Sequence, residues 1–208
     1  MKRNRGTLFI VSAPSGAGKT TLCRELVSSV PNLQFSVSYT TRPPRPGEVN
    51  DRDYTFVSEK DFRSMVSGGE FIEWAEVHGA LYGTSERRLE EILVSGIDVI
   101  LDIDTQGAMQ IREKYAEGTY IFILPPSLEV LKKRLQARMT DSRDEIDKRL
   151  RRAVGEIKTY PRYDYVIIND NLQDALKEFT AIVISQKVRT EKIDPLWIEE
   201  RFLQQEVK

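Results

Sequence analysis

The residues best suited to chemistry form one short stretch, residues 12–21, which reads Ser-Ala-Pro-Ser-Gly-Ala-Gly-Lys-Thr-Thr. An apolar run over residues 7–11 precedes it, and a helical pattern follows it. A strand, a loop of small residues and a helix together form the context of a phosphate-binding P-loop, because backbone N–H groups and the positive end of the helix converge on phosphate oxygens. The stretch therefore predicts binding of a nucleoside triphosphate.

Individual residues of this loop have distinct expected roles. Gly16 and Gly18 allow a close approach that a side chain would prevent. Lys19 is expected to reach the β- and γ-phosphates, and Thr20 to ligate Mg²⁺. Ala13 stands where the motif usually has its first glycine, and the alternative interpretation is a glycine-rich turn with an incidental lysine. The residues of the loop predicted to bind ATP are Ala13, Pro14, Ser15, Gly16, Ala17, Gly18, Lys19, Thr20 and Thr21.

A second group of polar residues follows in a segment rich in proline, residues 40–47. Arg42 and Arg45 are held there at low entropic cost, and two guanidinium groups match the bidentate geometry of a phosphate monoester. Tyr54 and Tyr82 could each donate a phenolic O–H to the same dianion. The alternative for the two arginines is an ordinary exposed loop.

Two carboxylates interrupt apolar strands. Glu73 lies within Phe-Ile-Glu-Trp, and Asp104 ends the run Val-Ile-Leu-Asp-Ile-Asp. A carboxylate in such a setting is costly unless it is paired or hydrogen-bonded. Two acceptors suit a base edge with adjacent N–H donors, such as the N1–H and N2–H₂ of guanine, whereas the N1 lone pair of adenine would be repelled. The alternative is that both carboxylates occupy surface-facing positions of half-exposed strands.

Arg134 and Arg138 are spaced four residues apart and therefore share one helix face, offset from a leucine stripe. The polar residues 139–145 that follow are expected to form a flexible turn over the nucleotides. The alternative is that both arginines are ordinary solvated helix residues.

Composition excludes several classes of protein. The 208 residues carry 31 basic and 32 acidic side chains, so nothing in the overall charge favours nucleic acid or a membrane surface as a partner. Cys23 is the single cysteine, which excludes an internal disulfide and suits a reducing compartment. No signal-peptide pattern or spanning apolar stretch is visible. A cytoplasmic location is therefore expected.

The elements that must position these residues alternate between strand and helix. This alternation predicts an α/β fold, with a parallel sheet covered by helices on both faces. Residues 38–84 are expected to form an inserted lobe over the sheet edge where ligands bind. Predicted strands span residues 7–11, 34–39, 54–57, 70–77, 98–103, 119–124 and 165–168, and predicted helices span 19–29, 59–67, 85–95, 105–115, 127–138, about 146–159 and 172–190.

Several of these motifs together resemble guanylate kinase over residues 6–185. They are the P-loop, Ser-Val-Ser-Tyr-Thr-Thr-Arg-Pro-Pro-Arg-Pro-Gly-Glu at 36–48, Phe-Ile-Glu-Trp-Ala at 71–75, Tyr-Gly-Thr at 82–84, Leu-Asp-Ile-Asp-Thr-Gln-Gly at 101–107 and Val-Ile-Ile-Asn-Asp at 166–170. Besides Ala13, the sequence departs from the family pattern at Asp51 and Met139, where glycine is frequent. The Asp51 departure puts the shape of the turn before Tyr54 in doubt.

The resemblance implies a role for each matching position. Glu73 and Asp104 would lie on the guanine edge, assisted by Ser38 and Thr84. Asp102 would serve the Mg²⁺–phosphate region near Lys19, and Asn169 would lie near the ATP adenine. Arginines of a mobile lid would act in catalysis together with Lys19, Arg42 and Asp102, the candidates being Arg134, Arg138 and Arg149. The implied GMP-binding residues are Ser38, Arg42, Arg45, Glu48, Tyr54, Glu73, Tyr82, Thr84 and Asp104.

The resemblance also implies the organisation and the reaction. One domain would comprise a P-loop NTPase core (6–37, 85–133 and 150–190), a GMP-binding lobe (about 38–84), a helical lid (about 134–149) and a C-terminal tail (about 191–208). It would transfer the γ-phosphoryl group of MgATP directly to GMP, with dGMP a further candidate substrate and a homo-oligomer a candidate assembly. Two other classes stay open: a guanylate-kinase-like module that only binds proteins, and a P-loop kinase for another phosphorylated small molecule. The presence of Lys19 disfavours the first, and the carboxylates Glu73 and Asp104 disfavour the second.

Overall fold

A computed structural model describes residues 5–77, 79–137 and 143–204. Its strands are β1 (Leu8–Ser12), β2 (Leu33–Phe35), β3 (Tyr39–Thr40), β4 (Thr55–Phe56), β5 (Phe71–Val77), β6 (Ala80–Ser85), β7 (Asp98–Asp102), β8 (Thr119–Leu124) and β9 (Tyr165–Ile168). Its helices are α1 (Lys19–Ser29), α2 (Glu59–Ser67), α3 (Glu86–Val94), α4 (Thr105–Lys114), α5 (Leu128–Gln136), α6 (Arg143–Ile157), α7 (Leu172–Lys187) and α8 (Pro195–Ile198).

The core is a five-stranded sheet in the order β2-β7-β1-β8-β9, and all of its paired strands are parallel. Alternate residues of β1 face opposite sides: Phe9 and Val11 pack with α1 and α7, whereas Leu8 and Ile10 pack with α3 and α4. Because both faces are covered, every residue of β1 is buried. The predicted fold class is confirmed.

A second, smaller sheet has the order β4-β3-β6-β5 and spans residues 39–85, one residue beyond the predicted lobe. Helix α2 begins at the cap Ser58, whose side chain accepts a hydrogen bond from Asp61 N, and Phe62 of this helix is fully buried against Phe71 and Tyr39. The two aromatic rings of Phe62 and Phe71 stack with centroids 4.6 Å apart. This small core holds β5 and β6 beside the carboxyl end of the large sheet.

Two details of the predicted elements were wrong. The single strand expected over residues 34–39 is two strands, because the chain leaves the large sheet after Phe35 and enters the small one at Tyr39. Strand β6 is not among the predicted strands; it pairs antiparallel with β5 and places Thr84 opposite Glu73. Among the described residues, no helix is both long and apolar enough to cross a membrane.

Candidate active site

The P-loop connects β1 to α1 at the carboxyl edge of the sheet. Gly18 is the N-cap of α1 with a left-handed φ of 91°, and no side chain caps the helix. A Cβ at Gly18 would lie 2.4 Å from Asn169 Nδ2, so the close contact with Asn169 requires glycine. That amide donates a 2.8 Å hydrogen bond to Ala17 O. The open helix end leaves backbone N–H groups available for an anion, as the sequence predicts.

Lys19 and Thr20 both contact Asp102, which the parallel pairing of β1 with β7 places beside them. Lys19 Nζ lies 2.6 Å from Asp102 Oδ1, and Thr20 Oγ1 donates a 3.0 Å hydrogen bond to Asp102 Oδ2. Burial opposes charge on the ammonium, but the interactions with Asp102 prevail and raise the pKa of Lys19. The lysine is therefore a fixed cation at the mouth of the loop.

Thr20 and Asp102 also present the type of donor that Mg²⁺ prefers, a hydroxyl and a carboxylate oxygen. No cluster of three or more His, Cys, Asp or Glu side chains able to hold a metal ion occurs in the described part of the chain. This donor set fits a magnesium ion that takes most of its ligands from substrate phosphates and water rather than from a protein cage.

The P-loop forms one wall of a cavity of about 280 Å³, here called the P-loop cavity. Arg149, which the sequence predicts as a lid arginine, lines this cavity, as do Arg152 and Glu156, which the sequence does not predict. The spacing of these three side chains, at i, i+3 and i+7 of α6, places them on one helix face and could have indicated them. The cavity is lined by Ala13, Pro14, Ser15, Gly16, Gly18, Lys19, Thr20, Thr21, Val77, Asp104, Arg149, Arg152 and Glu156.

A second cavity of about 250 Å³, here called the lobe cavity, adjoins the first. Lys19, Val77 and Asp104 line both of them. Groups bound in the two cavities would therefore meet at Lys19. The lobe cavity is lined by Lys19, Ser38, Tyr54, Glu73, Ala75, Val77, Tyr82, Asp102, Ile103 and Asp104.

The carboxylate of Glu73 lies at the wall of the lobe cavity and is 5% exposed. Thr84 Oγ1 donates a 2.6 Å hydrogen bond to Glu73 Oε1. Burial raises the pKa of Glu73 to about 7, with a further increase from the nearby charge of Asp104, although the bond from Thr84 opposes the shift. Asp104 is the N-cap of α4 and accepts from Gly107 N at 2.8 Å. The two carboxylates are thus brought to one site, as the sequence predicts.

Arg42 and Glu48 form a bidentate ion pair in which both N···O distances are 2.7 Å. Glu48 also accepts from Arg45 N at 2.7 Å, and these hydrogen bonds lower the pKa of Glu48 to about 2. The Arg42 guanidinium lies 4.8 Å from the centroid of the Tyr54 ring, which contacts Tyr82 edge-on. Glu48 therefore orients Arg42, and neither Arg42 nor the exposed Arg45 lines either cavity.

Asp51, one of the departures from the family pattern, adopts a left-handed φ of 59°. This is the backbone conformation that glycine adopts without strain. Its carboxylate accepts a 2.7 Å hydrogen bond from Thr55 Oγ1 and lies 3.6 Å from Arg88 Nη1. Aspartate tolerates left-handed conformations better than most residues, and these contacts preserve the turn that leads to Tyr54.

The predicted lid arginines are placed differently from one another. Arg149 lines the P-loop cavity. Arg134 instead donates to Asn169 O at 2.9 Å and to Ala17 O at 3.3 Å, on the outer side of the loop, and does not line either cavity. Arg138 and residues 139–142 of the predicted turn lie outside the described residues. The prediction was wrong for residues 143–145, which form the first turn of α6.

The parallel sheet, its P-loop and the adjoining polar cavity define an α/β protein of the P-loop nucleotide-binding class. A family model described as guanylate kinase matches residues 5–186. Curated guanylate kinases of Geobacter metallireducens and Geobacter sulfurreducens are 56% and 54% identical to the chain over 193 residues, covering 93% of it and 95% of each relative. The chain belongs to the guanylate kinase family, and its activity is that of a guanylate kinase.

A solved structure agrees with this assignment. The crystal structure of guanylate kinase from Anaplasma phagocytophilum matches with a TM-score of 0.79 and 33% identity, covering 99% of this chain and all of that one. The match therefore spans nearly the whole length of both chains.

Proposed function

We propose that the chain transfers the γ-phosphoryl group of ATP to GMP, with ATP in the P-loop cavity and GMP in the lobe cavity. The observation that carries the proposal is that Lys19 and Asp104 line both cavities. Two substrates bound on either side of Lys19 would have their reacting phosphates next to one ammonium. Positioning of this kind and neutralisation of spreading charge are the main contributions to phosphoryl transfer.

Guanine recognition is assigned to Glu73 and Asp104, with Ser38 and Thr84. The Glu73 carboxylate is buried and has Oε1 occupied by Thr84. When Glu73 is ionised, its remaining oxygen and those of Asp104 are acceptors only, which suits the N1–H and N2–H₂ donors of guanine. Adenine would present a lone pair to the same acceptors, so the site should reject AMP.

We assign binding of the GMP phosphate to four side chains, those of Arg42, Arg45, Tyr54 and Tyr82. Glu48 acts by orienting Arg42 through the bidentate pair rather than by touching the phosphate. Because Arg45 is exposed and lies outside the lobe cavity, its contact requires the proline-rich segment to move toward GMP when GMP binds.

We assign stabilisation of the negative charge in the transition state to Lys19 and Arg149. Arg134 and Arg138 would join them when the lid closes. Thr20 and Asp102 would hold Mg²⁺ together with the ATP phosphates, and the ion would neutralise developing negative charge. We assign Asn169 to the ATP adenine, and its hydrogen bond to Ala17 O next to the P-loop supports this assignment. The GMP phosphate attacks in line without a covalent enzyme intermediate, since a phosphate dianion is already a competent nucleophile.

The division into parts is proposed on the same grounds: core (6–37, 85–133 and 150–190), GMP-binding lobe (38–84), lid (134–149) and tail (191–208). The small sheet with its own aromatic cluster supports the lobe as a unit. A cytoplasmic location and a homo-oligomeric assembly stay predictions, which cell fractionation and sedimentation would test.

The direct test is a coupled assay of ADP release with GMP, dGMP, AMP and ribose phosphates as acceptors. We expect rapid, Mg²⁺-dependent turnover with GMP and very slow turnover with AMP. Preferred use of a ribose phosphate would instead favour a kinase for a different small molecule. Nucleotide binding without turnover of any acceptor would favour a protein-binding module.

A further inference from the structure

The first turn of α4 packs directly against the carboxylate assigned to guanine. Gly107, the third residue of α4, is buried, and its N–H donates to the capping carboxylate of Asp104. A Cβ at Gly107 would lie 2.6 Å from Glu73 Oε2, 3.3 Å from Glu73 Cδ and 3.4 Å from Asp104 Oδ1. The first of these distances is far below van der Waals contact, so Glu73 occupies the space that any side chain at position 107 would need.

Neither element can easily withdraw to make room. One turn beyond Gly107, the side chain of Gln110 accepts from Trp74 N at 3.1 Å and donates to Trp74 O at 2.9 Å. These two bonds fix α4 to β5 at the residue after Glu73. Thr84 meanwhile fixes Glu73 Oε1 from the opposite strand. A methyl group at position 107 would therefore be accommodated by movement of the Glu73 carboxylate.

We propose that Gly107 is a specificity-determining positioning residue, whose missing side chain allows Glu73 to lie beside Asp104 at the guanine edge. The inference rests on the proposed function, because it treats Glu73 as a residue that binds GMP. The glycine is required here for space and not for an unusual backbone angle, since Gly107 lies within a regular helix. Alanine favours helix over glycine, so the substitution is compatible with the backbone of α4.

The test compares Gly107→Ala with Gly155→Ala. Gly155 is also within a helix, but a Cβ there meets nothing within 4 Å. For Gly107→Ala we expect the KM for GMP to rise about 10- to 100-fold through loss of charged hydrogen bonds, with the KM for ATP within about twofold. The preference for GMP over AMP should fall in the same measurement. Gly155→Ala should match the wild type in all three quantities.

Repeating the substitution in a Glu73→Ala protein separates a clash with the Glu73 carboxylate from general destabilisation of the fold. In Glu73→Ala the added methyl group has no carboxylate to displace, so Gly107→Ala should cause no further loss of GMP binding there. The comparison remains informative even if Gly107→Ala alone folds poorly. In that case the added Glu73→Ala substitution should restore the melting temperature that Gly107→Ala lowers. An unchanged KM for GMP in Gly107→Ala, or equal losses in both backgrounds, would overturn the inference. Failure of the wild type to use GMP would instead overturn the proposed function.

Discussion

The ammonium of Lys19 lies 2.6 Å from Asp102 Oδ1 and donates a second bond, also 2.6 Å long, to Ile103 O. Lys19 begins α1 and Asp102 ends β7, so two elements far apart in sequence hold the cation between the two cavities. A bound triphosphate would compete with Asp102 for this ammonium. The lysine therefore has a partner in the free protein, and we expect nucleotide binding to weaken its contact with Asp102.

Replacement of Lys19 by Met keeps most of the side-chain stem and removes the charge. We expect kcat to fall about 100-fold or more, roughly 3 kcal/mol, by comparison with the loss of one preorganised electrostatic group. The fold should survive, as checked by circular dichroism. Lys158→Met, at an exposed lysine, is the matched control. Near-normal turnover in a folded Lys19→Met protein would contradict the P-loop assignment.

Replacement of Glu73 by Gln preserves the acceptor for Thr84 but weakens the acceptors facing guanine. Since a hydrogen bond to a charged group contributes about 1.5–3 kcal/mol, kcat/KM for GMP should fall about 10- to 150-fold. ATP affinity, measured separately by titration calorimetry, should stay nearly unchanged. Glu76→Gln provides the control, because Glu76 is an exposed residue of the same strand. Equal losses of ATP and GMP binding would indicate that Glu73 has a structural role and does not contact the base.

The wild type should discriminate against AMP. A site built to hydrogen-bond one base edge leaves its own groups unpaired with another, at a cost of up to about 10⁴–10⁵ in kcat/KM. Initial rates with GMP and AMP measure this ratio directly. Comparable use of both nucleotides would mean that Glu73 and Asp104 do not read the base.

Stability should depend on pH through Glu73. Burial raises its pKa from the ordinary 4.5 to about 7, so between these values the folded state binds more protons than the unfolded state. The contribution of Glu73 is therefore fully present below pH 4.5 and is lost as the pH rises through 7, by about 3 kcal/mol at most. In urea unfolding at pH 5 and pH 8, Glu73→Gln should lose less stability than the wild type over this interval. Identical changes in both proteins would contradict the raised pKa.

Binding of both substrates should close the molecule. Arg45 lies outside the lobe cavity and Arg134 outside the P-loop cavity, so neither reaches its proposed phosphate without movement of residues 38–84 and of the lid. Small-angle scattering with GMP and a non-hydrolysable ATP analogue should show a smaller radius of gyration than the free protein. With GMP alone, we expect a radius of gyration between those of the free and the fully occupied protein. An unchanged radius with both sites occupied would count against closure.

Much of the fold could be predicted because its signals are local. Helix α1 begins and ends at the predicted residues, as does α2, since a glycine-rich loop precedes one and a serine cap the other. The parallel sheet follows from alternating strands and helices. The division of residues 34–39 into two strands could not be predicted, because it depends on which sheet each half joins.

The sequence by itself determined the P-loop motif and the two carboxylates that line the lobe cavity, because the spacing of neighbouring residues and their chemical type carry that information. Only the tertiary structure decided that Arg152 and Glu156 face the P-loop, that Glu48 holds Arg42, and that Gly107 leaves room for Glu73. Two of these relationships are distances between separate elements, and the pairing of Arg42 with Glu48 depends on how one loop folds back on itself. They arise from the packing of helices against strands, which no short stretch of sequence specifies alone.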